Sequence, residues 1–501
     1  MQNVNRYDVW EYTVKGPDTG NPFRDEWIKL SVTSRNESCE VDGFYDGEDK
    51  YTVRFMPSFE GEYKYAVNAS FLDKTVDGVF SVLPARNTNH GPVRSANTFS
   101  LVHDDGTRHI SIGTTCYVWE LQSDELIEQT FETLKDSPFN KIRFCIFPKH
   151  YVYNLHEPRS YPYIGTPMDS SVLTKQNFNL YSGNAEGNSW DFHLFNPEHF
   201  RHIEKCVERL RDMEIQADII LFHPYDRWGF SLMTEEEDLF YIDYVIARLG
   251  AYSNVWWSLA NEYDLMRKSD AAWSAIAEEI CRKDVYRHMR SIHNCKNIYD
   301  FNRPWCTHCS IQRTDTYLTV ENTNAWRQRY RKPVVLDEIC YEGDIEFGWG
   351  NITGEEMTRR FWETALRGGF PGHGETMTGH NDILWWSHGG KLYGESPARI
   401  SFLKQILEQV PGNGLQPDDF MRSDELRAVP ADKAYKGRFF LFYYSFMRPG
   451  SRLFHIDETT QFDVYVIDTW NMNLENKGCF SGEFRIELPK RQYMAVMLKA
   501  R

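Results

Sequence analysis

The middle of the chain, residues 98–412, alternates short apolar runs with longer amphipathic segments. This alternation constrains the fold more than any other feature, because it predicts strands and helices in turn and therefore a parallel sheet. Eight runs are predicted strands, which favours a closed (β/α)8 barrel over an open sheet. The predicted strands span 109–115, 140–147, 217–222, 255–260, 304–310, 317–320 and 332–338, with a weaker eighth at 374–375 or 383–386.

Capping residues support the helices of this middle segment. Asn196 precedes Pro197 at the predicted start of one helix, a position where proline is favoured. Thr234 and Glu237 have the spacing of a capping box, and Gly250 is the predicted end of the helix that they begin. No G-x-G-x-x-G or G-x-x-x-x-G-K-[ST] loop follows any predicted strand, so we expect no nucleotide cofactor.

The two flanks of this segment have a different texture. Short alternating runs separated by Gly, Asn, Asp and Pro occur from residue 7 to about 85 and again after about residue 417, which predicts antiparallel β-sandwiches. A chain of 501 residues is also too long for one core, since single cores stop growing at roughly 250–300 residues. We therefore predict an Ig-like sandwich and linker at 1–97, a catalytic barrel at 98–416 and a second sandwich at 417–501.

Charge and cysteine usage narrow the class of partner. The chain has 56 Lys+Arg, 72 Asp+Glu and a net charge of −16, without a basic cluster, which argues against nucleic acid and anionic membranes. The sequence holds no run of 18 apolar residues and no leader pattern, and its ten cysteines are scattered. We expect a cytoplasmic protein with reduced thiols, and we leave a homo-oligomeric state open.

Barrel enzymes carry their reactive groups at the carboxyl ends of the strands, and two glutamates occupy such positions. Glu262 and Glu338 each directly follow an apolar run, and their spacing fits three βα units, from strand four to strand seven. A pair of facing carboxyl groups is what glycoside hydrolysis requires. The alternative is that each glutamate caps a helix or forms a surface ion pair; matched positions beside Asn261 favour catalysis.

Several motifs resemble those of retaining (β/α)8 glycoside hydrolases with the acid/base on strand four and the nucleophile on strand seven. They are WWSLANE (256–262) and KPVVLDE (332–338). More narrowly, FHPYDRWG (222–229), WWSLANEYD (256–264) and DEICYEG (337–343) resemble the apiosidase-like barrels of bacterial polysaccharide-degrading proteins. The segments GNPFRDEWIKL (20–30) and VDGFYDGEDKYTVRFMPSFEGEY (41–63) resemble a β-sandwich domain that often precedes such barrels.

This resemblance implies a role for each matched residue. Glu262 is the expected acid/base, Glu338 the expected nucleophile, and Asn261 the expected donor to the sugar hydroxyl beside the reacting carbon. Arg143 is expected to keep Glu338 ionised, or to form a structural ion pair. His308 is expected to contact Glu338 or substrate, or to have a structural role. Hydrolysis with retention of anomeric configuration follows from the resemblance.

Other polar and aromatic residues near strand ends are candidates for sugar binding, because flat aromatic faces match the apolar face of a sugar ring. The predicted substrate-binding residues are Asn261, Arg143, His150, His223, Tyr225, Asp226, Trp228, His308, Tyr341, Trp385 and Trp386. Glu342 and Glu375 are spare carboxylates, and either becomes the rival nucleophile if strand seven is placed wrongly. The long segment 149–195 is expected to form one rim of the pocket.

The expected substrate is an oligosaccharide or polysaccharide of plant type, with no metal and no cofactor. Two rival functions stay open. A metal-dependent hydrolase would require clustered His or Asp ligands after strand one, where the sequence HISIGTT places its histidine at the wrong end. Cys306 and Cys309 diverge on a strand and do not form a metal site. A non-catalytic carbohydrate-binding protein would also suit two β-sandwiches, but both glutamates and Asn261 argue for an enzyme.

Overall fold

The structure is a computed structural model that describes residues 2–317, 320–418 and 425–501. The amino-terminal region folds into two sheets, of order β1-β8-β7-β3-β4 and β2-β6-β5, which enclose a separate aromatic core. Its strands are β1 (Gln2–Asn5), β2 (Trp10–Lys15), β3 (Ile28–Thr33), β4 (Ser38–Asp42), β5 (Phe44–Tyr45), β6 (Lys50–Phe55), β7 (Gly61–Ala69) and β8 (Val76–Leu83). The hairpin of β9 (Val93–Ala96) and β10 (Ser100–His103) leads on to the barrel.

Eight parallel strands form the barrel, in the order β17-β16-β15-β12-β11-β21-β19-β18. A parallel bridge between His293 and Ser310 joins the two ends of this sheet, so the predicted fold class is confirmed. The elements are β11 (Gly113–Thr115), α1 (Asp124–Lys135), β12 (Lys141–Cys145), β13 (Tyr163–Thr166), β14 (Ser189–Phe195), α2 (Pro197–Asp212), β15 (Gln216–Phe222), α3 (Glu235–Leu249), β16 (Val255–Ala260), α4 (Asp270–Lys283), β17 (Arg290–Ser291), β18 (Cys309–Gln312), α5 (Thr323–Tyr330), β19 (Val334–Glu338), β20 (Glu342–Gly343), α6 (Gly354–Leu366), β21 (Phe370–His373), β22 (Glu375–Thr376), α7 (Trp385–His388) and α8 (Ser396–Glu408).

Three of the predicted strands are wrong in position. The fifth strand is β17, two polar residues that give no apolar pattern, and the segment predicted as the fifth strand overlaps β18, which is the sixth. The segment 317–320 is not the sixth strand: Tyr317 and Val320 lie in a bend, and residues 318–319 lie outside the described residues. The eighth strand is β21, just before the predicted position 374–375, whereas 383–386 leads into α7.

The predicted helix boundaries are confirmed where capping chemistry defined them. The Asn196 side chain accepts from the N–H of Glu198 at the start of α2. Thr234 and Glu237 form both bonds of a capping box at the start of α3, and Gly250 is its C-cap. Local hydrogen-bonding rules therefore place these ends reliably, because the cap satisfies N–H groups that the helix itself leaves unpaired.

The carboxy-terminal region packs one sheet against the barrel. A six-stranded sheet of order β23-β24-β25-β30-β27-β28 has one face against α6, where the rings of Tyr443 and Trp362 stack at 5.5 Å. The hairpin-like pair β26 and β29 covers the other face. The strands are β23 (Leu415–Pro417), β24 (Leu426–Pro430), β25 (Phe439–Tyr443), β26 (Ser451–His455), β27 (Phe462–Asp468), β28 (Asn473–Phe480), β29 (Glu483–Glu487) and β30 (Met494–Ala500).

Cross-links and membrane-spanning elements are absent from the described residues. All ten cysteines are free thiols, and six of them are buried. No helix in the described ranges has both the length and the apolar character needed to cross a bilayer.

Candidate active site

Two buried glutamates lie at the same end of the barrel. Glu338 is the last residue of β19, and Glu262 follows the end of β16 by two residues; each is 5 % exposed. Because all eight strands are parallel, both side chains belong to the mouth at the carboxyl ends. Glu262 has a left-handed backbone (φ 51°, ψ 55°), which is strained for a residue other than glycine. The strain is of the kind found where a fold fixes a functional side chain.

Glu338 is held by one hydroxyl and one guanidinium. The Tyr117 hydroxyl donates to Glu338 Oε1, and Arg143 Nη1 lies 3.4 Å from the same oxygen. Burial raises the pKa of Glu338 and the charge of Glu262 adds to the rise, whereas Arg143 and Tyr117 oppose it. The two carboxyl groups are therefore close enough to affect one another, as an acid and nucleophile pair must be.

Glu262 is held through both of its carboxyl oxygens. Gln312 Nε2 donates to Oε1 at 2.8 Å, and the Tyr225 hydroxyl donates to Oε2. Gln312 is the last residue of β18, and Tyr225 follows β15. The carboxyl ends of β15, β16 and β18 thus together fix the carboxyl group of Glu262.

Arg143 connects Asn261 to Glu338. It points from β12 toward the mouth, and its Nη1 donates to Asn261 Oδ1 at 2.8 Å as well as lying near Glu338. Tyr117 Oη lies 3.3 Å from the same amide oxygen. Since Oδ1 is engaged by Arg143, the amide NH2 of Asn261 is the group left to donate to a ligand.

Lys149 lies among aromatic faces between the two glutamates. Its Nζ is 3.3 Å from the ring centroid of Tyr117, 4.2 Å from that of Tyr225 and 4.7 Å from that of Trp386. Burial lowers the pKa of Lys149 to about 8, although the charge of Glu338 opposes this effect. The aromatic faces supply part of the stabilisation that water gives to an exposed ammonium.

An aromatic wall surrounds the mouth. Tyr151 packs edge to face on Tyr225 at 5.5 Å and on Trp386 at 5.8 Å, and Trp349 lies 5.1 Å from Trp386. Tyr341 adjoins Trp349 at 5.8 Å, and burial together with the charge of Glu338 raises its pKa. Of the predicted wall residues, Tyr225, Tyr341 and Trp386 are therefore brought together near the glutamates.

Three of the predicted substrate-binding residues make contacts within the fold. The carboxylate of Asp226 accepts from the N–H groups of Trp228 and Ser231, both at 2.8 Å, and so organises its own loop. The Trp228 ring is buried in that loop. Trp385 Nε1 donates to Thr114 Oγ1 at 2.8 Å within the barrel core, away from the mouth.

The three predicted histidines make structural contacts. His150 Nε2 lies 2.9 Å from the carbonyl of Phe178 and ties down the rim segment. His223 Nε2 lies 3.2 Å from the carbonyl of Phe147, and burial lowers the pKa of His223 to about 3. His308, expected to contact Glu338 or substrate or to have a structural role, precedes β18 at the opposite end of the barrel, where its ring packs on Trp256 at 5.2 Å.

Glu342, His373 and Glu375 have metal-ligand spacing, with one potential ligand atom of each within 4.8 Å of the others. The two carboxylates, however, already accept from the four backbone N–H groups of residues 393–396, at 2.6–3.0 Å. Burial raises the pKa of Glu375 to about 7, and the charge of Glu342 adds to this. The backbone N–H dipoles stabilise the negative charge of the two carboxylates and disfavour a cation beside them. The cluster therefore anchors the loop before α8.

Five residues of the mouth are not among the predicted substrate-binding residues, although two of them lie in the predicted rim segment 149–195: Tyr117, Gln312, Lys149, Tyr151 and Trp349. Gln312 was missed because the sixth strand was predicted eight residues too late. Tyr117 follows by two residues both β11 and the predicted first strand, which end at the same residue. Closeness to a strand end was the available signal for the first four, whereas Trp349 reaches the mouth from a loop.

Comparison with known proteins identifies the relationships of the chain. The sequence model of the apiosidase-like catalytic domain matches residues 95–412. Two domains of unknown function match the flanks, DUF5060 over residues 3–70 and DUF5605 over residues 428–499. Comparison with the curated proteins gave no match.

Solved structures show the same relationship. A Bacteroides vulgatus protein provisionally described as a glycoside hydrolase is 32% identical, with a TM-score of 0.91 and 100% of both chains covered. A family 5 glycoside hydrolase of the same organism is 15% identical, with a TM-score of 0.60 over 82% of this chain and 93% of its own, and this likeness concerns the fold alone. Because the family match spans more than half of the sequence, the chain belongs to the apiosidase-like family.

Proposed function

We propose that the protein is a retaining glycosidase that cleaves O-glycosidic bonds in plant-type oligosaccharides or polysaccharides, with Glu338 as nucleophile and Glu262 as acid/base. The observation that carries this proposal is the pair of buried carboxyl groups at the ends of β16 and β19, with Asn261 linked to Glu338 through Arg143. Membership of a family with glycoside hydrolase relatives supports the same reaction class.

The different surroundings of the two carboxyl groups suit different roles. Arg143 and Tyr117 stabilise the ionised form of Glu338, which attacks the anomeric carbon and forms a glycosyl ester. Glu262 is bound by Tyr225 and Gln312 and forms no ion pair among the described residues, and its assigned role is to donate a proton to the leaving oxygen. In the second step Glu262 removes a proton from water, which attacks the ester and releases the sugar.

Asn261 and the aromatic wall are proposed to bind the reacting sugar. The Asn261 amide, oriented by Arg143, can donate to the hydroxyl beside the anomeric carbon as charge develops there. Trp386, Trp349 and Tyr151 present ring faces and edges to the same space, which suits the apolar face of a pyranose or furanose ring.

Substitution of the glutamates tests the proposal. Glu262→Gln and Glu338→Gln should each lower kcat on an aryl glycoside by about a thousandfold or more while the thermal unfolding temperature stays close to that of the wild type. Glu236→Gln, an exposed residue of α3, is the matched control and should keep full activity. Loss of activity on chelation would support the metal-dependent alternative, and oligosaccharide binding without turnover of any glycoside would support the binding protein.

Azide separates the two roles. In Glu338→Ala the small anion should attack the anomeric carbon directly and give a glycosyl azide of inverted configuration. In Glu262→Ala it should attack the glycosyl ester and give an azide of retained configuration. Proton NMR of the first wild-type product should show retention, as expected for carboxyl groups roughly 5–5.5 Å apart. The opposite anomer would contradict the mechanism.

Three sequence expectations stay predictions. They are the division at residues 97 and 416, a cytoplasmic location and assembly into a homo-oligomer. Free cysteines fit a reducing compartment, and light scattering of the purified chain tests the oligomeric state.

A further inference from the structure

Lys149 is a buried lysine whose ammonium lies over three aromatic rings. It follows β12 by four residues, is 4 % exposed, and its ammonium lies over the rings of Tyr117, Tyr225 and Trp386. Within the described residues, no carboxylate lies within ion-pair distance of Nζ and no acceptor forms a hydrogen bond with it. A buried ammonium without a paired carboxylate is unfavourable for folding, and an apolar side chain of similar length would fill the same space. The fold therefore does not require this charge.

Two of the three rings that Lys149 contacts belong to the tyrosines that bind the two glutamates. Tyr117 donates its hydroxyl to Glu338, and Tyr225 donates its hydroxyl to Glu262. A cation over the face of a phenol ring draws electron density toward itself and makes the hydroxyl a stronger donor. One ammonium thus acts on both carboxyl groups, each through one tyrosine.

We propose that Lys149 is a positioning residue shared by the glutamate pair, which fixes Tyr117 and Tyr225 and stabilises whichever carboxyl group is ionised. This inference rests on the proposed function. When Glu338 attacks, its charge is lost in the ester, the bond to the leaving oxygen breaks, and the proton of Glu262 goes to that oxygen. The negative charge therefore moves from Glu338 to Glu262.

Arg143 does not perform this task alone, because its hydrogen bonds are with Asn261, Glu338 and Ser258. Lys149, by contrast, is in contact with both tyrosines that bind the glutamates. The titratable and charged groups that face it are Tyr117, Tyr225, Cys145, Arg143, Glu262 and Glu338. His223 and His293 also lie near, and burial keeps both neutral.

Lys149→Met tests this role, because it removes the charge and keeps the length of the side chain. We expect kcat on an aryl glycoside to fall at least tenfold, KM to change less than threefold, and the acid limb of the kcat/KM profile to move to higher pH. The limb moves because the charge of Lys149 lowers the pKa of Glu338. The thermal unfolding temperature should stay the same or rise. Lys149→Arg should bring the acid limb back toward the wild-type position.

Lys135→Met, an exposed lysine at the end of α1, is the control and should change none of these quantities. Three results would overturn the proposal. The first is an unchanged kcat and pH profile in Lys149→Met, and the second is a rise in KM alone, which indicates a direct substrate contact. The third is a fall in unfolding temperature without movement of the acid limb, which indicates a structural role.

A readout without turnover separates this inference from the proposed function. Carbon-13 NMR of labelled glutamate carboxyls can follow the titration of Glu338, whose signal is assigned by its loss in Glu338→Gln. The Glu338 pKa should be higher in Lys149→Met than in the wild type. If the wild type hydrolyses no glycoside but this rise is found, the glycosidase proposal fails and the electrostatic link stands; no rise overturns the link itself.

Discussion

At the scale of single residues, the site depends on what surrounds each carboxyl group. Burial raises the pKa of Glu338, which opposes its use as an ionised nucleophile. Arg143 and Tyr117 act against this, and Tyr117 does so with a direct hydroxyl bond. The neutral phenol of Tyr117 donates a stronger hydrogen bond to an ionised carboxylate than to a protonated carboxyl group. It therefore favours the charged form of Glu338 without adding charge.

Tyr117→Phe should therefore make the enzyme more sensitive to acid. Without the hydroxyl, the pKa of Glu338 rises further, and Glu338 is protonated and inactive at a higher pH than in the wild type. The acid limb of kcat/KM moves upward, and activity approaches that of the wild type well above it, where Glu338 is ionised in both proteins. Tyr241→Phe, another buried tyrosine, removes a bond to the carbonyl of Leu221 and should leave the profile in place. An acid limb that moves downward in Tyr117→Phe would contradict this account.

At the scale of secondary-structure elements, the accuracy of the sequence prediction depends on the length and apolar character of each strand. Long apolar runs such as β15 and β16 are buried along their whole length, and their carboxyl ends place Tyr225 and Glu262 correctly. β17 has two polar residues and gains its place by pairing with β16, which no local pattern reveals. Contacts such as Gln312 to Glu262 bridge 50 residues of sequence and depend on that register.

The joint between the amino-terminal sandwich and the barrel also depends on particular elements. Glu204 of α2 lies between Arg54 of β6 and Arg248 of α3, with Arg54 Nη1 2.9 Å from Glu204 Oε1. Arg248 also reaches Asp46 of the sandwich at 2.8 Å. Glu204 and both arginines are buried, so each depends on the others for compensation of its charge.

Glu204→Ala should lower the free energy of unfolding by about 3–5 kcal/mol, because it leaves two buried guanidinium groups with less negative charge. Urea unfolding of the full chain measures the change. Glu208→Ala, an exposed residue of the same helix, should cost no more than about 0.5 kcal/mol. A loss of equal size in both variants would mean that helix propensity, and not the buried ion cluster, sets the effect.

At the scale of the whole molecule, the hydrophobic cores indicate which parts unfold together. One continuous cluster runs from the barrel into β24, β25, β27 and β30, whereas the sandwich of β1–β8 has a cluster of its own. Side chains that share a core lose their packing together, so the barrel and the carboxy-terminal sheet form one cooperative unit. The sandwich contacts the barrel through the buried ion cluster and through Phe44, whose ring belongs to the core cluster of the barrel.

Tyr443→Ala tests whether the barrel and the carboxy-terminal sheet unfold as one cooperative unit. Tyr443 is fully buried and stacks on Trp362 of α6, so its truncation opens a cavity between sheet and barrel and should cost about 3–5 kcal/mol. Calorimetry should show the main transition moved to lower temperature as one peak, and heat inactivation of glycoside hydrolysis should move with it. Tyr435→Ala, an exposed residue in the same region, should leave both unchanged. A separate early peak with unaltered inactivation would mean that the sheet unfolds independently and that the barrel does not need it for stability.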